Sequence, residues 1–163
     1  MKLISADQYA SLAKTRYGTY EIWIKEDIAE ILLKPLWATI DGYLISRANF
    51  EGEVYIGVYY GWSKKLYDTL SVLSKGEYSS KVAATYKFAR IVKALVKKSP
   101  LLYSVKKVLD NCVVKWYPAY DDFEARANQK AQLNRSDVYW VLNIKGNHRV
   151  PAARKILESI VAQ

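Results

Sequence analysis

The stretch Gly52-Glu53-Val54-Tyr55-Ile56-Gly57-Val58-Tyr59-Tyr60-Gly61-Trp62-Ser63-Lys64-Lys65-Leu66 contains Tyr-x-Gly twice, at 55–57 and again at 59–61. Its β-branched and aromatic residues read as a strand, yet glycine weakens a strand and marks a bulge or a place where something comes close. Working backwards, Thr39-Ile40-Asp41-Gly42-Tyr43-Leu44-Ile45-Ser46 is a second such run, and Asn49-Phe50-Glu51-Gly52 lies between the two. Two β-rich runs around an Asn- and Gly-containing turn predict a β-hairpin. Working forwards, Ser63 is placed to cap a helix with Leu66, Leu70 and Leu73 on its apolar side, and Lys75-Gly76 provides the stop.

The rest of the chain reads as mostly helical. A short helix is expected from Ser5 or Asp7 to Lys14, and a second from Tyr20 to Leu33, where Ile24, Ile28, Ile31 and Leu32 recur at helical spacing. Ser79 or Ser80 opens a longer helix to Lys98. Asn111–Tyr117 reads as a third strand ended by Pro118, Asp121 or Asp122 caps a helix through Leu133, and Pro151 opens a last one. Val138–Asn143 is a short apolar segment followed by a polar loop. The expected fold class is therefore α+β: a small antiparallel three-stranded sheet, hairpin plus one later strand, flanked by helices. Residues 1–36 would form a helical N-terminal extension suited to homo-oligomerisation or substrate docking, and residues 37–163 the functional domain.

Charge narrows the function. The chain of 163 residues carries a formal net charge of +9. Residues 63–115 hold twelve Lys or Arg against Asp68, Glu77 and Asp110, which accounts for the whole excess, because the remaining segments balance. A polyanion is the expected partner, and DNA is preferred to a membrane because the block shows no broad apolar face. Lys87, Arg90, Lys93 and Lys97 recur every three or four residues along the long helix, forming the best phosphate-contact stripe, with Lys64 and Lys81 near it. No apolar run reaches the length of a membrane span, and the N-terminal residues lack a secretion-signal core, so an intracellular protein is expected. The lone Cys112 and lone His148 exclude a Cys/His zinc cluster.

The order of hairpin, helix, basic helix, strand and helix with an early Glu resembles the GIY-YIG endonuclease family over about residues 39–143. Two registers fit. In one, Gly42-Tyr43-Leu44 and Tyr55-Ile56-Gly57 match the family's two triplets, with Leu44 where a tyrosine belongs. In the other, Tyr43 faces Tyr59 across a turn near Glu51, and Tyr59-Tyr60-Gly61-Trp62-Ser63-Lys64-Lys65-Leu66 matches the passage from strand to helix. The second is preferred because it keeps both tyrosines and the helix start. The resemblance implies Tyr43 or Tyr59 as the base activating a water, or Tyr55 in the first register, with Glu124 as the ligand of one Mg²⁺ and Gly57 or Gly61 making room for a sugar-phosphate backbone. It also implies Asn143, or Asn134, as a loop-fixing residue. The family's phosphate-stabilising arginine is replaced by Thr69 or, in the other register, Lys65, which weakens catalysis because lysine lacks the guanidinium fork. The rival readings are a largely helical, basic DNA-binding or nucleoprotein-packaging protein without catalysis, and an RNA-binding protein that stacks bases on exposed Tyr and Trp.

Overall fold

The computed structural model describes residues 1–5, 11–40, 44–78, 82–102 and 104–163. Its strands are β1 (Lys2–Ser5), β2 (Tyr17–Lys25), β3 (Arg47–Phe50), β4 (Glu53–Ser63) and β5 (Cys112–Ala119). Its helices are α1 (Glu26–Leu32), α2 (Lys34–Trp37), α3 (Leu66–Ser74), α4 (Ala83–Lys97), α5 (Val105–Asp110), α6 (Asp122–Leu133) and α7 (Pro151–Ala162). The five strands form one sheet in the order β1-β5-β2-β4-β3, curled into a half-barrel. The β1–β5 pair is parallel and the other pairs are antiparallel. This overturns the expected three-stranded antiparallel sheet.

The missing strands come from the segment read as helical. Residues 1–36 supply β1 and the central strand β2 ahead of α1, so the segment expected to be a helical extension contributes two strands to the sheet. In β2, Tyr20, Ile22 and Ile24 point to one face of the sheet and Thr19, Glu21 and Trp23 to the other, and both sets are buried. A strand covered on both faces lacks the alternation that betrays a half-buried one. Ile24 in this strand happens to stand at helical spacing from Ile28 and Leu32 of α1, which produced the helical reading.

The first hairpin arm is also displaced. Thr39 and Ile40 lie in the turn that follows α2, Asp41–Tyr43 lie outside the described residues, and the strand that pairs with β4 is Arg47–Phe50. The turn falls at Glu51-Gly52, where φ is 54° and 83°, and the Gly52 N–H donates to Asn49 Oδ1 at 2.9 Å. A two-residue turn with both central φ values positive matches the twist of the strands it joins.

One face of the sheet carries the main core, in which Tyr20, Ile22, Ile24, Ile56, Val58, Val114 and Trp116 meet residues of α1–α5 and α7. The opposite face carries a smaller cluster, Trp23, Tyr60, Val113, Leu133, Val138 and Trp140, beneath α6 and the irregular segment 138–143. β4 is longer than β3, so its upper half has an open edge facing away from β2. Segment 138–143 closes that edge: Leu142 N–H donates to Val58 O at 2.8 Å, and the Asn143 amide takes both Tyr60 main-chain groups. An uncovered edge would offer unpaired backbone groups to any passing strand.

Candidate nucleic-acid interface

A β-bulge decides where the tyrosines of the quoted stretch point. Ile22 pairs with Tyr59 and the next residue, Trp23, with Gly57, so Val58 is the extra residue on β4. Without the bulge Tyr55 and Tyr59, four residues apart, would share a face. With it, Tyr59 enters the main core while Tyr55 packs on the opposite side, its ring 5.6 Å from that of Phe50. Tyr59 is 8% exposed, tilted against Tyr20 and Phe88 at ring-centroid separations of 6.2 and 5.3 Å. Burial pushes its hydroxyl up to about 12, against which a hydrogen bond from Tyr20 works only partly. A phenol so placed is a poor base for a water molecule, which needs both access and an ionisable partner near the working pH.

The glycines answer to aromatic rings. Gly61 stands opposite Tyr20, and a Cβ there would collide with the Tyr20 ring. A Cβ on Gly57 would lie 2.9 Å from Trp140 Cζ3 and 3.1 Å from Trp23 Cζ3. The close approach that the sequence signals is therefore between ring and backbone inside the protein, where the resemblance implied room for a sugar-phosphate chain.

Glu124 sits on the exposed first turn of α6, across the sheet from Tyr59. Its N–H donates to Asp121 Oδ1 at 2.8 Å while its Oε2 accepts the Tyr120 N–H at 2.9 Å. Asp121 thus caps the helix while Glu124 reaches back to the N–H just before the cap, a variant of the capping box that explains an acid at this position without a metal. Among the described residues no group of three or more His, Cys, Asp or Glu is gathered for a metal ion. Thr69, one candidate for the missing arginine, is fully buried, its Oγ1 3.0 Å from Ser63 Oγ. Lys65 and Lys64 are exposed before α3, and Tyr43 and Lys81 lie outside the described residues.

Asn143 ties segment 138–143 to β4. Its Oδ1 accepts the Tyr60 N–H at 2.8 Å and its Nδ2 donates to Tyr60 O at 2.9 Å, imitating a neighbouring strand; Gln129 Nε2 adds a second donor to the same carbonyl at 3.1 Å. Asn147, which the sequence reading passed over, ties the turn together by donating to Trp140 O and Asn143 O.

A buried polar group also went unread. Glu21, 8% exposed in the middle of β2, accepts from Trp23 Nε1 at 2.9 Å and from the Tyr117 hydroxyl at 2.7 Å. Burial first, and the hydrogen bond to Glu21 second, push the Tyr117 phenol far above its ordinary value. Tyr60, raised mainly by burial, donates to Thr19 Oγ1 at 2.9 Å. The signal was there in the single acid of Tyr-Gly-Thr-Tyr-Glu-Ile-Trp-Ile. Both Glu21 oxygens are engaged within the fold, so the cluster cross-links β2 and β5 beneath α6.

The basic stripe is realised on α4. Phe88, Ala89, Val92 and Leu95 are buried on its inner side, and Lys87, Arg90, Lys93 and Lys97 are exposed on the outer side with Tyr86. None of the four cations takes part in the ion pairs found among the described residues. No family model matches the chain, and neither the curated proteins nor the solved structures supply a match. The site must be read from its own geometry. Lys87 and Lys97 are ten residues apart on one helix, a run of about 15 Å at 1.5 Å per residue. Phe88, Ile91, Val92 and Leu95 hold α4 down with about 1.5–3 kcal/mol each, so its anchoring owes nothing to the outer charges. No described helix is long and apolar enough to cross a membrane.

Proposed function

We propose that the chain is a DNA-binding protein that docks the outer face of α4 on the phosphate backbone and does not cut it. The observation that carries this reading is the uncompensated row Lys87, Arg90, Lys93 and Lys97, held on a helix whose opposite side is locked into the core. Tyr86, 46% exposed beside Lys87, adds a ring able to lie against a sugar or base. The endonuclease reading asks Tyr59 to meet water and Glu124 to join other ligands around a metal; burial opposes the first, and among the described residues Glu124 stands in no group of three or more His, Cys, Asp or Glu. The rival binding reading of the sequence therefore survives in an α+β scaffold rather than a largely helical one.

The test is fluorescence anisotropy on duplex DNA over a range of salt, with wild type and a Lys87→Gln/Arg90→Gln/Lys93→Gln/Lys97→Gln variant. Each phosphate contact contributes about 0.9 to the slope of log affinity against log salt, so losing four flattens it by about 3–4. An unchanged slope removes α4 as the contact surface. Incubating supercoiled DNA with Mg²⁺ or EDTA supplies the second arm: nicking that needs Mg²⁺ and disappears in Tyr59→Phe or Glu124→Ala would overturn the non-catalytic reading.

A further inference from the structure

Away from α4, the start of β2, the connection from β4 into α3 and the first turn of α3 border an open cavity of about 420 Å³ lined by Arg16, Tyr17, Lys64, Lys65, Tyr67 and Asp68. We propose that this cavity binds a nucleoside phosphate, with the phosphate on the three cations and the base against a tyrosine ring. Arg16, Lys64 and Lys65 are all exposed, and none is ion-paired to Asp68 or to any other described carboxylate. Three like charges gathered around one open space repel one another, and a dianion entering it removes that cost. The Arg16 guanidinium lies 5.2 Å from the centre of the Tyr17 ring, and a guanidinium can give paired hydrogen bonds to phosphate oxygens.

A bare phosphate leaves most of the cavity empty. Its volume falls in the range of small-molecule sites, about 300–1,000 Å³. The Tyr67 ring is 45% exposed and offers an aromatic face for a base, while the Asp68 carboxylate is an acceptor for sugar hydroxyls or an exocyclic amine. The backbone that carries these side chains is held before any ligand arrives. Leu66 N–H donates to Arg16 O at 2.8 Å, Lys65 N–H to Ser63 Oγ at 2.9 Å, and Ser63 Oγ meets Thr69 Oγ1 at 3.0 Å. Gly18 lets β2 press against this corner, since a Cβ there would overlap Leu66 and the Tyr117 carbonyl. Sites held rigidly lose less to ordering when they bind.

No α4 residue lines the cavity, so the proposal stands apart from the duplex-binding surface. Isothermal titration with AMP, adenosine and inorganic phosphate tests it, using wild type, Arg16→Gln/Lys64→Gln/Lys65→Gln, Tyr67→Ala and the α4 variant. AMP is expected to bind about tenfold or more tightly than adenosine or phosphate, and to weaken by about tenfold or more in the triple and Tyr67→Ala variants. The α4 variant is expected to bind AMP as wild type does. A 5′-phosphorylated single strand preferred to its 5′-hydroxyl counterpart, with the preference lost in the triple variant, identifies the ligand as a strand end; equal binding of the two strands with AMP binding intact identifies it as a free nucleotide. No AMP binding by a wild type that circular dichroism shows folded, AMP binding that survives the triple variant, or phosphate binding as tight as AMP binding overturns the proposal.

Discussion

Replacing Asn143 with alanine tests how β4 is kept from being an open edge. The side chain is buried at 4% exposure and serves the two main-chain groups of Tyr60. Removing it does not treat them alike. Tyr60 O keeps Gln129 Nε2 at 3.1 Å, whereas among the described side chains the Tyr60 N–H has Asn143 Oδ1 as its acceptor. An orphaned buried donor costs about 1–3 kcal/mol and the lost bond to the carbonyl about 0.5–1.5, so Asn143→Ala is expected to cost about 2–4 kcal/mol. In a chain of this length each kcal/mol moves the melting midpoint by about 2–4 °C, giving a fall of roughly 4–16 °C. Gln129→Ala alone is expected to cost about 0.5–1 kcal/mol, because Asn143 still serves the carbonyl. The double variant strips both groups, and its loss should exceed the sum of the singles by about 1 kcal/mol. Urea unfolding with an unchanged m-value measures all three. A loss under about 1 kcal/mol for Asn143→Ala, or additivity in the double variant, would refute the surrogate-strand account.

Gly61→Ala is expected to destabilise by about 1–3 kcal/mol, because its Cβ meets the ring of fully buried Tyr20, and to cost more than Gly57→Ala, whose Cβ meets the rims of two tryptophans; thermal melts showing Gly61→Ala neutral would contradict this. Glu124→Ala should cost about 0.5–1 kcal/mol through the capping box and leave DNA affinity within error, as read by urea unfolding and anisotropy. The Tyr59 phenol is held up to about 12 by burial, and that of Tyr20 is raised by burial and by Tyr59. Both are neutral in folded and unfolded chains below about 10, and above it the unfolded chain loses their protons first, so their contribution to stability is full below pH ~10 and falls as pH rises towards ~12. Ultraviolet titration should show these tyrosines ionising with unfolding; early, reversible ionisation of all fourteen would contradict the burial.

Local signals in the sequence were dependable where one element decides its own state. The turn at Glu51-Gly52, the basic side of α4, the Asp121 cap of α6 and the opening of α7 at Pro151 all follow from residues within a few positions of one another. What escaped depends on partners far along the chain. β1 is four residues long and is defined by its parallel register with β5, more than a hundred positions away. β2 is hidden by being covered on both faces. Leu44-Ile45 looked like strand by composition, but Ile45 is a core residue and Leu44 lends its carbonyl to Tyr139 N–H. The bulge at Val58 left no trace that could be read without knowing the register of β2.

The same dependence reverses the meaning of the tyrosine-glycine repeats. In a hairpin standing alone, a glycine two residues after a tyrosine is free space for a ligand. In this sheet the facing strand is β2, which brings Tyr20 and Trp23 to the two glycines, so the space is already filled. Chemistry that needs open backbone is thereby pushed away from the middle of the sheet. Among the described residues, the outside of α4 and the corner between Arg16 and Lys65 are both reachable and rich in cations without carboxylate partners. Positive charge that holds no element in place adds only self-repulsion to the free protein. Its concentration at these two sites is therefore intelligible as preparation for an anion, and each site can be neutralised without touching the core that carries it.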